Sequence, residues 1–175
     1  MLNPMRLNPT QLNPMQSLLR WLPVAAVIAL ADQLTKRWVS AALADGENVY
    51  VTSFFNLVLA YNKGAAFSFL ANQSGWQRLF FIAISVIASV VIVHLMRKHA
   101  ADRLFCAGLA LILGGAIGNL WDRVVLGHVV DFLLFHWGGR AFPAFNLADS
   151  AITVGAGLLI FDSFRSAKKA GPVGG

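Results

Sequence analysis

Two aspartates sit in apolar surroundings late in the chain, and acids so placed invite a chemical reading. Asp131 follows Val129 and Val130 and precedes "FLLF", while Asp149 lies within "AFNLADSAITVGAG". Neither has a basic neighbour in sequence to neutralise it. An ionisable group in such a setting is costly, so it is either functional or held in a buried ion pair, with Arg123 and Arg140 as the candidate partners. If the segment bearing Asp131 folds back against the one bearing Asp149, two carboxyls meet in a low-dielectric site. Like charges a few ångströms apart cannot both ionise, so the pair would share one proton. Its titration would then belong to the pair and not to either residue. One carboxylate can take a proton from water while its partner donates one to a substrate carbonyl. That is the aspartic-protease arrangement, and it needs neither metal nor cofactor.

Other chemistries are poorly served. There is no HExxH, and His128 with Asp131 lacks a third zinc ligand at convincing spacing. Ser74 in "NQSGW" has no paired base, and no glycine-rich phosphate loop is present. The lysines and arginines are dispersed instead of forming a stripe, which argues against a nucleic-acid partner.

The elements that must position these acids follow from composition. Of 175 residues, 57% are hydrophobic and 13% charged, with a mean hydropathy of +0.63, far from a soluble domain. Four stretches approach the ~20 residues needed to cross the hydrocarbon core: 18–43, 76–96, 104–124 and 144–164. Polar residues interrupt the first from Asp32 onward. Arg6, Arg20, Arg97, Lys98, Arg103, Arg165, Lys168 and Lys169 fall on one side of the spans. Lys36, Arg37, Lys63, Arg78, Arg123 and Arg140 fall on the other. The dense clusters at 97–103 and 168–169 place both termini in the cytoplasm.

Two outer segments remain, 44–75 and 125–143. The first is rich in β-branched and aromatic residues, with a turn signal at Asn62-Lys63-Gly64, and suits two or three short strands. The second, with Gly127, Gly138, Gly139 and Pro143, suits a loop returning to the membrane. On the third span Gly115, Gly118, Asn119 and Asp122 share one face, where small residues allow close helix approach. Asp122 and Arg123 arrive at the outer interface, and structural support is the favoured role for Asp122. Asp32 and Lys36, at i and i+4, predict an ion pair holding the first helix end. The expected organisation is an "LNP"-repeat tail over 1–17, one membrane domain over 18–166 and a short tail over 167–175. Both tails are read as flexible.

Four motifs in order, "DQLTK" (32–36), "YNKGAAFS" (61–68), "GGAIGNLWDRVVLGHVVDF" (114–132) and "FPAFNLADSAI" (142–152), resemble those of the bacterial lipoprotein signal peptidases, also called signal peptidase II. The resemblance implies an all-α membrane protein of four transmembrane helices, with a small β-rich cradle and a short helix or loop on the periplasmic side. It implies an aspartic endopeptidase of the bacterial inner membrane, working as a monomer among membrane lipid and sensitive to globomycin. The expected substrates are diacylglyceryl-modified prolipoproteins, cut on the N-terminal side of the lipidated cysteine. By motif, the catalytic aspartates are Asp131 and Asp149. Supporting or substrate-contacting roles are implied for Asn62, Asn119, Asp122, Arg123 and Asn146, with Asn62 on a possible lid and Arg123 bridging the Asp131 segment to the third helix.

A small transporter or a non-catalytic adaptor are the rival readings. No internal repeat of the span pattern is detectable, and the polar residues cluster at one interface instead of threading the membrane.

Overall fold

The computed structural model describes residues 14–64 and 76–170, with side chains through residue 167. Four helices, α1 (Pro14–Ala42), α2 (Trp76–Lys98), α3 (Arg103–Val125) and α4 (Leu147–Ala170), carry a small antiparallel sheet of β1 (Asn48–Thr52), β2 (Phe55–Asn62), β3 (Val129–Trp137) and β4 (Arg140–Ala141). All four helices are long and apolar enough to cross a membrane. The strands lie in sequence order, β1-β2-β3-β4.

α3 is the central helix. It packs against α1, α2 and α4, whereas α2 turns most of its surface outward, with Leu79 and Val90 each more than 60% exposed. Outward-facing apolar side chains on such a helix suit a lipid surround. Glycines let the backbones close on one another. A Cβ on Gly108 would stand 2.9 Å from the Gly155 carbonyl of α4, and one on Gly115 would collide with the Ala148 carbonyl. Gly118 faces α1 instead, where a Cβ would stand 2.5 Å from Asp32 Oδ2. The glycines expected on one face thus serve two neighbours. At the end away from the sheet, Ala25, Met96, Cys106 and Leu109 form an apolar core, with the lone cysteine thiol fully buried. Ser17 ties this end together by donating from Oγ to the Met96 carbonyl, 3.2 Å away.

Helix limits differ from the sequence expectation at three ends. α1 begins at Pro14, inside the stretch read as tail, because a proline in the first turn lacks only an N–H that would have no helical partner. It then runs unbroken through the polar residues from Asp32 to Ala42. At 1.5 Å per residue its length is about 43 Å, more than the hydrocarbon core requires. The surplus carries Asp32 and Lys36 to the level of the sheet. α4 starts at Leu147 instead of 144 and continues to Ala170, beyond the expected boundary at 166.

The segment 125–143, expected to be a loop, is mostly strand. Val129 to Phe132 are all buried, so the run shows none of the in-out alternation that marks a one-sided strand. β3 pairs with β2 (Ala60 opposite Asp131, Asn62 opposite Val129) and is buttressed below by Val39 of α1, which packs with Leu59, Val130 and Phe132. Gly127, at φ +83°, makes the turn from α3 into β3, and its N–H caps the Asp122 carbonyl at 3.2 Å. After β4 the chain returns alongside β3. Phe145 N–H donates to the Leu133 carbonyl at 3.0 Å, and its own carbonyl accepts from Leu133 at 2.8 Å. This return sets the entry to α4 beside Asp131. No short helix lies among the described residues of the outer segments, and 65–75, including part of the "YNKGAAFS" motif, lies outside them.

Candidate active site

The site is built where β3, the end of β2 and the first turn of α4 converge over α3. Asp149 stands in that first turn, closer to the helix start than a span beginning at 144 implies. Asn146 occupies the cap position before it. Its Oδ1 accepts from Asp149 N–H at 2.9 Å, and Asp149 Oδ2 accepts from Asn146 N–H at 3.3 Å. This reciprocal capping box fixes the acid at a helix N-terminus, where negative charge is favoured.

Asn146 also reaches the second acid. Its Nδ2 donates to Asp131 Oδ1 at 2.7 Å, so one residue holds Asp149 through its backbone and Asp131 through its side chain. The other Asp131 oxygen accepts from Asn62 Nδ2 at 3.0 Å. Asn62 has no freedom to present its carbonyl there, because its Oδ1 accepts from Gly64 N–H at 2.8 Å. Gly64 sits at φ +98° against Phe81, where a Cβ would be 2.6 Å from the ring, so this turn is specific to glycine. Burial of Asp131 outweighs its amide donors, and the nearby Asp149 charge pushes the same way. Together they raise its pKa to about 6, although the Asn62 and Asn146 bonds and the Lys36 charge pull it down. Among the described residues neither acid forms a salt bridge, so the buried-pair alternative with Arg123 or Arg140 is absent there.

Asn119 links this pair to a buried ionic cluster. Lys36 Nζ lies 2.8 Å from Asp32 Oδ2, 2.8 Å from Asp122 Oδ2 and 2.9 Å from Asn119 Oδ1. An ammonium has three hydrogens and no acceptor, so all three are committed. The Asn119 carbonyl must therefore face Lys36, which turns its Nδ2 toward Asp149 Oδ1 at 2.8 Å. The cluster is satisfied on every side. Asp32 Oδ1 accepts from Ala148 N–H of α4 at 2.9 Å, Asp122 Oδ1 from Gln33 Nε2 at 2.7 Å, and Asp122 Oδ2 also from Val130 N–H at 3.2 Å. One cluster thus pins α1, α3, β3 and the start of α4.

Arg123 does not bridge to β3. Its Nη1 donates to the Asn119 carbonyl of its own helix at 3.2 Å, and the guanidinium lies 5.0 Å from the centre of the Phe81 ring. Two supporting residues escaped the sequence reading. Gln33 clamps Asp122, and Arg78 of α2 donates to the Arg123 and Val124 carbonyls, both at 2.8 Å, closing the end of α3. Gln33 lies within "DQLTK" and had that signal, whereas nothing in sequence marks Arg78.

The intolerance of Gly118 gives a first test. Gly118→Ala forces Asp32 Oδ2 off Lys36, with an expected destabilisation of about 1–3 kcal/mol by overpacking. Thermal unfolding of purified protein in detergent reads this directly, and a melting temperature equal to that of the unsubstituted protein would contradict the packing.

Four helices long and apolar enough to cross a membrane, with buried Asp131 and half-buried Asp149 joined through Asn146, place the chain in the class of multi-span membrane proteins. The signal peptidase II family model matches residues 24–165. A lipoprotein signal peptidase from Janthinobacterium sp. (strain Marseille) is 58% identical over 153 residues, covering 87% of this chain and 93% of that protein. One from Paraburkholderia phymatum is 55% identical over 154 residues, covering 88% and 93% respectively. A bacterial membrane enzyme solved by the in meso method superposes with a TM-score of 0.77 at 29% identity, covering 89% of this chain and 94% of that one. The chain belongs to the signal peptidase II family and is thus a peptidase.

Proposed function

We propose that this chain removes the signal peptide from diacylglyceryl-modified prolipoproteins, cutting on the N-terminal side of the lipidated cysteine by an aspartic mechanism. The observation that carries the mechanism is the Asn146 bridge between Asp131 and Asp149. The family membership and the named relatives support the substrate class.

Asp131, the member pushed toward holding a proton, acts as the acid, and Asp149 as the base. Asp149 takes a proton from water as the water oxygen bonds to the scissile carbonyl carbon. Asp131 gives its proton to the carbonyl oxygen, forming a tetrahedral diol. When the C–N bond breaks, the proton on Asp149 passes to the leaving cysteine nitrogen, and Asp131 recovers a hydroxyl proton. The dyad is restored and no metal takes part. Asn62, Asn119 and Asn146 hold the two carboxyls in place, Lys36 holds Asn119, and Asp122 holds Lys36.

Depth explains the placement. The lipidated cysteine lies at the membrane surface, and a dyad at midplane would be starved of water. The site belongs on the periplasmic side of the inner membrane, with both termini cytoplasmic and the sheet as a cradle over the outer leaflet. Acyl chains supply binding at about 0.8 kcal/mol per buried CH₂, so the enzyme can demand lipidation with few polar contacts. One domain over 18–166, working as a monomer, suffices for this chemistry.

The test compares lipidated and unlipidated forms of one precursor peptide with purified protein in detergent or lipid. Cleavage of the lipidated form alone is expected. Equal cleavage of both would remove the lipid requirement, and cleavage of neither would end the proposal.

A further inference from the structure

A cavity of about 460 Å³ opens between the sheet-side ends of α1 and α3; its walls are largely apolar, but Gln33, Arg37, Ser40, Tyr61 and His128 bring polar groups to it. An apolar groove of about 260 Å³ continues from it between the same helices, floored by Leu30, Leu34, Ile117 and Gly118. Gln33, Arg37 and Trp121 line both, so the two adjoin, and the polar side chains gather in the first, the head, while the second is a nearly all-apolar tail. Its groove walls face outward, with Leu30, Leu34 and Trp121 all more than half exposed. Asp149 is held from the α4 side through Asn119 and Asn146, and neither acid lines the cavity or the groove.

The charge of the head is legible. Lys36 lines it but is neutralised by Asp32 and Asp122. Arg37 is exposed and has no acid or hydrogen-bond partner among the described residues. Asp122 is the acid in the lining, and both of its oxygens already accept hydrogen bonds. A choline or ethanolamine ammonium would find no acceptor carboxylate there, whereas a guanidinium is suited to grip a phosphodiester in two-pronged fashion. A headgroup at Arg37 with an acyl chain along Leu30, Leu34 and Ile117 matches the order of the two compartments.

We infer that the α1–α3 seam is a binding site for one anionic phospholipid, its phosphodiester on Arg37 and an acyl chain in the groove. The inner wall of the head is the Lys36–Asp122 ion pair, which lies one residue from Asp149 through Asn119. The lipid therefore packs against the support of the acid pair without touching the acids. This site does not depend on the proposed reaction, since its readout is binding.

Native mass spectrometry of the delipidated full chain, given equal phosphatidylglycerol and phosphatidylcholine, tests it. The expected result is about fivefold preferential retention of phosphatidylglycerol, the worth of one basic residue near a lipid surface. Arg37→Gln should erase the preference, and Arg97→Gln at the far end of α2 should leave it intact. Brominated phosphatidylglycerol should quench tryptophan emission less in Trp121→Phe than in the unsubstituted protein. Equal retention of the two lipids, or a preference that survives Arg37→Gln, would show ordinary boundary lipid and overturn the site. Displacement by a lipidated precursor peptide would reassign the seam to substrate, and displacement by equimolar inorganic phosphate would reassign the head to a free anion.

Discussion

Asp149→Asn and Asp131→Asn should each lower cleavage of a lipidated precursor by at least about a hundredfold while the protein still folds, since a positioned acid or base contributes 10²–10⁴-fold. The amide keeps the shape of the carboxyl and can still accept one hydrogen bond from Asn119 or Asn146, so the convergence of β3 and α4 survives. It cannot take a proton from water or deliver one to a carbonyl. A thermal melt in detergent within a few degrees of the unsubstituted protein, alongside lost turnover, separates chemistry from collapse. Full activity in folded Asp149→Asn would remove the base from the scheme.

The second large effect falls on Lys36, which touches neither acid and reaches Asp149 only through Asn119. Lys36→Met keeps the aliphatic stem but leaves Asp32 and Asp122 buried without their cation. Removing one partner of a buried ionic network costs about 3–5 kcal/mol, because the remaining charges are stranded. Asn119 Oδ1 also loses its charged donor and keeps only the Asn146 amide at 3.1 Å, so the partner of Asp149 is held less firmly. Turnover per folded molecule should therefore drop as well. Unfolding measurements give the first effect, and specific activity corrected for folded fraction gives the second. An unchanged melting temperature would show that the cluster carries no stability.

The contrast between these sites bears on what a sequence discloses. The spans are legible because a run of about 20 apolar residues has few other uses. β1 and β2 are legible from their β-branched and aromatic residues, although the turn that joins them lies at Ser53-Phe54 and the expected turn at Asn62 instead ends β2. β3 is not, because burial of Val129 through Phe132 on both faces erases alternation, while the glycines at each end read as a loop. The start of α4 is misjudged for a related reason: "FPAF" is apolar enough to extend a span, but Phe145 pairs with β3. Asp131 and Asp149 stand out as charges in apolar stretches. Asp32 and Lys36 stand out by i, i+4 spacing, and the structure places them 2.8 Å apart. That Asp122 joins them, that Gln33 clamps it, and that Arg78 closes α3 depend on contacts across the fold, which no local spacing encodes.

The central claim is that Asp131 and Asp149 act as one proton-sharing unit. It is tested most directly by a ¹³C-carboxyl NMR titration of the aspartate-labelled protein, with Asp131 assigned by its absence in Asp131→Asn. The Asp131 midpoint should lie near 6. It should fall in Asp149→Asn, where the like charge is gone, and rise in Asn62→Ala, where a hydrogen bond favouring the ionised form is gone. A midpoint in the ordinary carboxylate range, or one indifferent to Asp149→Asn, would mean the two acids titrate independently and would contradict the account.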